Sequence, residues 1–229
     1  FAAYQQYLRG LEFRKRHSYD SARASFERAI AFDSSFAMAY YYLWFYAPDN
    51  TCERLLQQAL DHSEQSDVRS RFFIRSHAYR MDRKWGEAIR ELEVDLELYP
   101  DDVEALIGIG SLERIMGRFE TSVEHLQRAV QVDSLNSDGY NELAATLSVL
   151  GRYAEALGVI DKSIDLEPEN ANLVGSKGDI LAQLGMGDSA RVVFGKALEI
   201  DSAITPARYH LIQLHLLMGY PDSALDHIT

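Results

Sequence analysis

The chain has 229 residues, 47% hydrophobic and 25% charged, with a formal net charge of −12. That balance suits a large apolar core, and the absence of any run of about 18 apolar residues excludes a membrane-crossing helix. Acidity argues against a nucleic-acid partner, whose phosphates need basic patches, and a single cysteine, Cys52, excludes an internal disulfide or a thiol metal cluster.

The charge is uneven. Residues 1–102 hold 14 Lys and Arg against 17 Asp and Glu, a net of −3, and residues 103–229 hold 9 against 18, a net of −9. The second half therefore suits a neutral or basic partner drawn in by steering, or else the charge serves solubility alone. The chain begins at Phe1 rather than Met and is read as a piece of a longer protein, which leaves its compartment open between cytoplasm and periplasm.

Taken in order, the first helix runs roughly from Tyr4 to Arg16. A second starts near Tyr19 and carries Ala22, Phe26, Ala29 and Ile30 on one face, an i, i+4, i+7, i+8 pattern. Asp33-Ser34-Ser35 is expected to cap the next helix, because these side chains accept from orphan backbone N–H groups. That helix, near Phe36 to Tyr46, is aromatic almost all round. Pro48 stops it, and Asp49-Asn50 is expected to start the following one, Cys52 to about Ser63.

From there the chain is periodic. Gly117, Gly151, Gly185 and Gly219 lie 34 residues apart, as do Ala88, Ser122, Ala156, Ala190 and Ala224. From Ala22 to Ala88 is 66 residues, two short of two periods, so a deletion falls within 37–68. Small residues mark close helix crossings, where Gly10, Gly110, Ala144 and Gly178 serve on the first helices. Tyr19, Trp85, Phe119 and Tyr153 follow the turns and plug gaps between units, a role for which Gly187 and Pro221 leave looser packing.

A period of 34 with these residues resembles the tetratricopeptide repeat (TPR) family. The resemblance implies an all-α, right-handed superhelix (an α-solenoid) of about six and a half helix-turn-helix repeats. They form a single array: 3–36, an irregular 37–68, 69–102, 103–136, 137–170, 171–204 and a truncated 205–229.

No residues assemble into a catalytic site. Gly185-Met186-Gly187-Asp188-Ser189-Ala190 formally matches a dinucleotide fingerprint, but a helix rather than a strand precedes it, so the glycines belong to the repeat's turn. His17, His62, His77, His125, His210, His215 and His227 show no metal-ligand spacing, and Cys52 has no base placed beside it. No enzyme activity and no cofactor are expected.

In the TPR family the first helices line a concave face where peptides bind. The resemblance places Tyr7, Leu11, Tyr41, Phe45, Phe73 and His77 there in the first half. Ile107, Ser111, Asn141, Ala145, Gly175, Asp179, Tyr209 and Gln213 follow in the second. These aromatics are either a binding strip or packed core. The family's lysine-based carboxylate clamp is missing, since Tyr7, Tyr41, Phe73, Ile107 and Asn141 stand at the matching places. The implied function is a non-enzymatic scaffold for a protein or peptide segment. The opening also looks like TPR modules of bacterial multidomain regulators, which implies a sensor or regulatory arm, and unfinished end repeats suggest self-association.

Overall fold

The computed structural model describes residues 1–16, 18–202 and 205–217. Among these there are thirteen α-helices and no strands. The chain forms two compact units, residues 1–100 and 101–229, divided at the junction of the third and fourth repeats.

Unit 1 contains α1 (Ala2–Lys15), α2 (Tyr19–Phe32), α3 (Ala37–Trp44), α4 (Asp49–Ser63), α5 (Val68–Met81) and α6 (Trp85–Leu98). Each odd helix pairs with the even helix after it. The core is built on Ala22, Phe26, Tyr40, Tyr41, Tyr42, Leu55, Ala59 and Ile74, with Tyr7, Leu11 and Phe73 packed against it.

Unit 2 contains α7 (Val103–Ile115), α8 (Phe119–Val132), α9 (Ser137–Val149), α10 (Tyr153–Leu166), α11 (Ala171–Gln183), α12 (Gly187–Ile200) and α13 (Thr205–Leu217). Gly219, Pro221, Ala224 and His227 lie outside the described residues, as does His17.

The turns explain the glycine spacing. Gly117, Gly151 and Gly185 have φ of +75°, +74° and +82°, a left-handed conformation in which a side chain's Cβ crowds the backbone. The corresponding residue between α5 and α6 is Arg83, with φ +58°.

The helix crossings follow one rule of complementary size. A Cβ on Gly10 would lie 2.5 Å from the Phe26 ring, one on Gly110 2.6 Å from Leu126, and one on Gly178 2.5 Å from the Phe194 ring. Where the second helix carries Ile160, smaller than the phenylalanines and branched at Cβ unlike Leu126, the first carries Ala144, and both are fully buried. Ser122 is more than a small residue. Its hydroxyl donates to the Gly110 carbonyl at 2.7 Å and lies 3.2 Å from the Thr146 hydroxyl, which satisfies polar groups inside the crossing.

One capping expectation is corrected. Asp33 does not cap α3; it accepts from the backbone and hydroxyl of Ser35, and the N-cap of α3 is Phe36 with no side-chain cap bond. Asp49 and Asn50 do begin α4, three residues before the expected Cys52, and its N-cap is Pro48. Asp67, Asp102, Asn136 and Asn170 do cap α5, α7, α9 and α11.

The irregular repeat is resolved. Second helices start at Tyr19, Asp49 and Trp85, intervals of 30 and 36 residues. Four residues are thus missing before α4 and two are extra after it. The loss falls on α3, which has 8 residues where α7 has 13. Cys52, the fourth residue of α4, takes the position held by Ala22 in α2 and Ala88 in α6.

Candidate functional site

In unit 1 the first helices α1, α3 and α5 meet through aromatic rings. Tyr7 lies 5.1 Å from Phe36 and 5.8 Å from Tyr42, and Tyr4 stands 6.0 Å from Tyr7. Tyr41 packs edge-on against Phe45 and Phe73, each at 5.3 Å, and against His77 at 5.1 Å. His77 is also edge-on to Trp44 at 4.6 Å. The network therefore joins all six first-half site residues except Leu11, which packs against the same core.

Burial divides these residues. Tyr41 and His77 are 4% and 5% exposed. Phe45 is 49% exposed and Tyr4 is 55% exposed. The division follows from the shortness of α3: Phe45 is its C-cap rather than an interior residue, so its ring stands at the edge of the network. Neither ring nitrogen of His77 has a hydrogen-bond partner. Burial, and secondarily the charge of Arg80, push its pKa down to about 4, so the imidazole is neutral at physiological pH.

The charges of unit 1 are sorted by helix. α1, α3 and α5 together carry seven Lys and Arg against one Glu, a sum of +6. α2, α4 and α6 carry four against ten carboxylates, a sum of −6. Arg14 lies 5.3 Å over the Tyr42 ring. Arg71 and Arg75 pair with Glu64 and Glu91, whereas neither Arg14 nor Arg80 forms an ion pair among the described residues.

In unit 2 the first-helix side is polar and cross-linked. Ser111 and Arg114 both donate to Glu142 Oε2 at 2.8 Å. Asp179 lies against Nδ1 of His210, a contact that becomes an ion pair when the imidazole is protonated, and the His210 ring lies 5.7 Å from Phe194. Burial raises the Asp179 pKa against the opposing pull of His210. Ser111–Glu142 and Asp179–His210 share a separation of 31 residues, the register that joins one first helix to the next. Asn141 is half-buried with its Oδ1 unpartnered, Gly175 faces Ala207, and Gln213 donates to the Tyr209 hydroxyl at 2.7 Å. Sequence reasoning missed Glu142 and Arg14; the 31-residue register and a charge count by helix would have found them.

Among the described residues no group of three or more His, Cys, Asp or Glu side chains is placed to hold a metal ion. Cys52 lies 3.6 Å from the carbonyls of Ala47 and Pro48.

No family model matches the chain. It resembles the crystal structure of MamA, with a TM-score of 0.56 and 20% identity over 66% of this chain and 89% of that one. It resembles MamA 41-end from Desulfovibrio magneticus RS-1 with a TM-score of 0.58 and 17% identity over 71% and 92%. At these identities the likeness is one of fold. Over 121 residues the chain is 27% identical to the TPR repeat-containing thioredoxin TTL4 of Arabidopsis thaliana, 53% of this chain and 17% of that protein. The chain is built of tetratricopeptide repeats. Its TPR array is also 33% identical over 87 residues to the Hsp70-Hsp90 organizing protein of Triticum aestivum, covering 37% of this chain and 15% of that protein. Protein FlbA of Caulobacter vibrioides is 25% identical over 141 residues, 62% of this chain and 24% of that protein. The TPR array thus matches between 15% and 24% of the length of these relatives.

Proposed function

We propose that this TPR array is a non-enzymatic scaffold that holds a protein or peptide segment against its first helices, with the aromatic strip of unit 1 as the main contact. The observation that carries this reading is the half-exposed pair Tyr4 and Phe45 at the outer edge of an otherwise packed ring network. Accessible rings held rigid by buried neighbours lose little entropy on binding, which is what makes aromatic residues dominate interfaces. Tyr41 and His77 act as the support beneath them.

The test is a random-peptide library selected against the chain and against a variant with Tyr4→Ser and Phe45→Ser, both shown helical by circular dichroism. A selected peptide is expected to protect amides of α1, α3 and α5 from hydrogen exchange, and to bind the variant weakly. Undiminished binding to the variant, with protection elsewhere, would refute the reading. A second reading, as the sensing arm of a larger bacterial regulator, is tested by the domain content of the full gene.

A further inference from the structure

We infer that the segment held on the first helices of unit 1 is acidic, with an apolar anchor; this rests on the binding face proposed above and names its partner's chemistry. The argument is charge complementarity. The first helices of unit 1 sum to +6, opposite in sign to the whole chain at −12. Much of the chain's positive charge is neutralised locally, as Arg71 is by Glu64 and Arg75 by Glu91. Arg14 and Arg80 are different.

Those two arginines flank the run of rings Tyr42, Tyr41 and His77 within the network. Arg14 sits over Tyr42, Tyr42 is 5.1 Å from Tyr41, Tyr41 is 5.1 Å from His77, and Arg80 acts electrostatically on His77. Neither has an acidic partner among the described residues. A cation left without a counter-charge beside an apolar surface can meet a carboxylate without first breaking an ion pair. Phe45 supplies the accessible apolar contact between them. His77 is neutral and adds no charge of its own.

The same face does not suit single-stranded nucleic acid as well. Base stacking needs open ring faces, and Tyr41 and Tyr42 are buried in edge contacts or against Phe26. The neutral or basic partner expected from the acidic second half concerns a different surface.

The experiment selects a random-peptide library on the whole chain and reads the charge of the recovered pool. Recovered peptides are then titrated, by fluorescence anisotropy, against the chain, against Arg14→Glu with Arg80→Glu, and against Phe45→Ser. An oligothymidylate and charge-inverted peptides with Lys for each Asp and Glu serve as competitors. Circular dichroism first confirms that each variant is folded. The expected result is a net-acidic pool with an aromatic or aliphatic anchor, bound roughly tenfold or more weakly by the double arginine variant and losing affinity with added salt. A neutral or basic pool that is still sensitive to Phe45→Ser overturns the acidic assignment and leaves the binding face standing. A pool insensitive to Phe45→Ser, or no enrichment, overturns both. Oligothymidylate binding tighter than any peptide, and lost with the arginines, replaces the peptide with nucleic acid.

Discussion

Replacing Gly178 by alanine tests the size rule at the helix crossings. The new Cβ would lie 2.5, 2.7 and 2.9 Å from three atoms of the Phe194 ring. Carbon atoms in contact sit about 3.5–4.0 Å apart, so the ring must retreat by about 1 Å. Phe194 is 1% exposed and has nowhere to go. Such overpacking costs about 1–3 kcal/mol, while alanine in place of a helical glycine gains about 1 kcal/mol. Gly158 in α10 isolates the second effect, because no atom lies within 4 Å of a Cβ built there. Gly158→Ala should therefore stabilise by about 1 kcal/mol. The two substitutions should differ by about 1–3 kcal/mol, with Gly178→Ala the less stable. Adding Phe194→Ile to Gly178→Ala recreates the Ala144–Ile160 pair and should recover most of the gap. Urea denaturation followed by circular dichroism gives the midpoints, and hydrogen exchange of α11 and α12 locates the effect, since repeat arrays can open in parts. If Gly178→Ala stabilises as much as Gly158→Ala, the size rule is wrong.

Arg83→Gly should stabilise by about 0.5–1 kcal/mol, since a left-handed φ costs a side-chain-bearing residue about 1–2 kcal/mol and glycine returns part of that as unfolded-state entropy. Gly151→Ala should lose about 1–2 kcal/mol despite open space around it, and an unchanged denaturation midpoint would contradict the strain argument. His77 binds no proton when folded until about pH 4, whereas the unfolded chain protonates it near 6.5, so stability falls as pH drops through that window, by up to roughly 3 kcal/mol. His77→Leu should flatten this slope in denaturant midpoints measured across the window; an unaltered slope would show that other groups set it. Ala156→Leu, at a fully buried crossing, should cost about 1–3 kcal/mol, read as a lowered urea midpoint.

The helices of the regular repeats were legible because each turn glycine, small crossing residue and capping Asp or Asn has a local physical cause that recurs every 34 residues. The irregular repeat was not. A shortfall of four residues before α4 and a surplus of two after it appear in the spacing of Ala22 and Ala88 only as their difference. The candidate face was half legible. The family resemblance placed Tyr41, Phe45, Phe73 and His77 on one face, but could not sort support from surface. That sorting depends on where α3 ends, and its last residue is Trp44. The sorting of charge by helix was only partly visible: the basic run on α5 stands out locally, but an opposite excess on the second helices cancels the first helices in a sum over the whole unit. Ser122 was read by volume alone, and its hydroxyl proved to bond the facing helix backbone.

That cancellation has a practical consequence. The helices of unit 1 sum to zero, yet its first helices and its second helices carry opposite charge. A purified unit should therefore adhere to both cation- and anion-exchange matrices at low salt, each time by a different side. Immobilising unit 1 on a negatively charged sensor surface would turn its first helices inward and mask them, whereas a positively charged surface would leave them facing the solution.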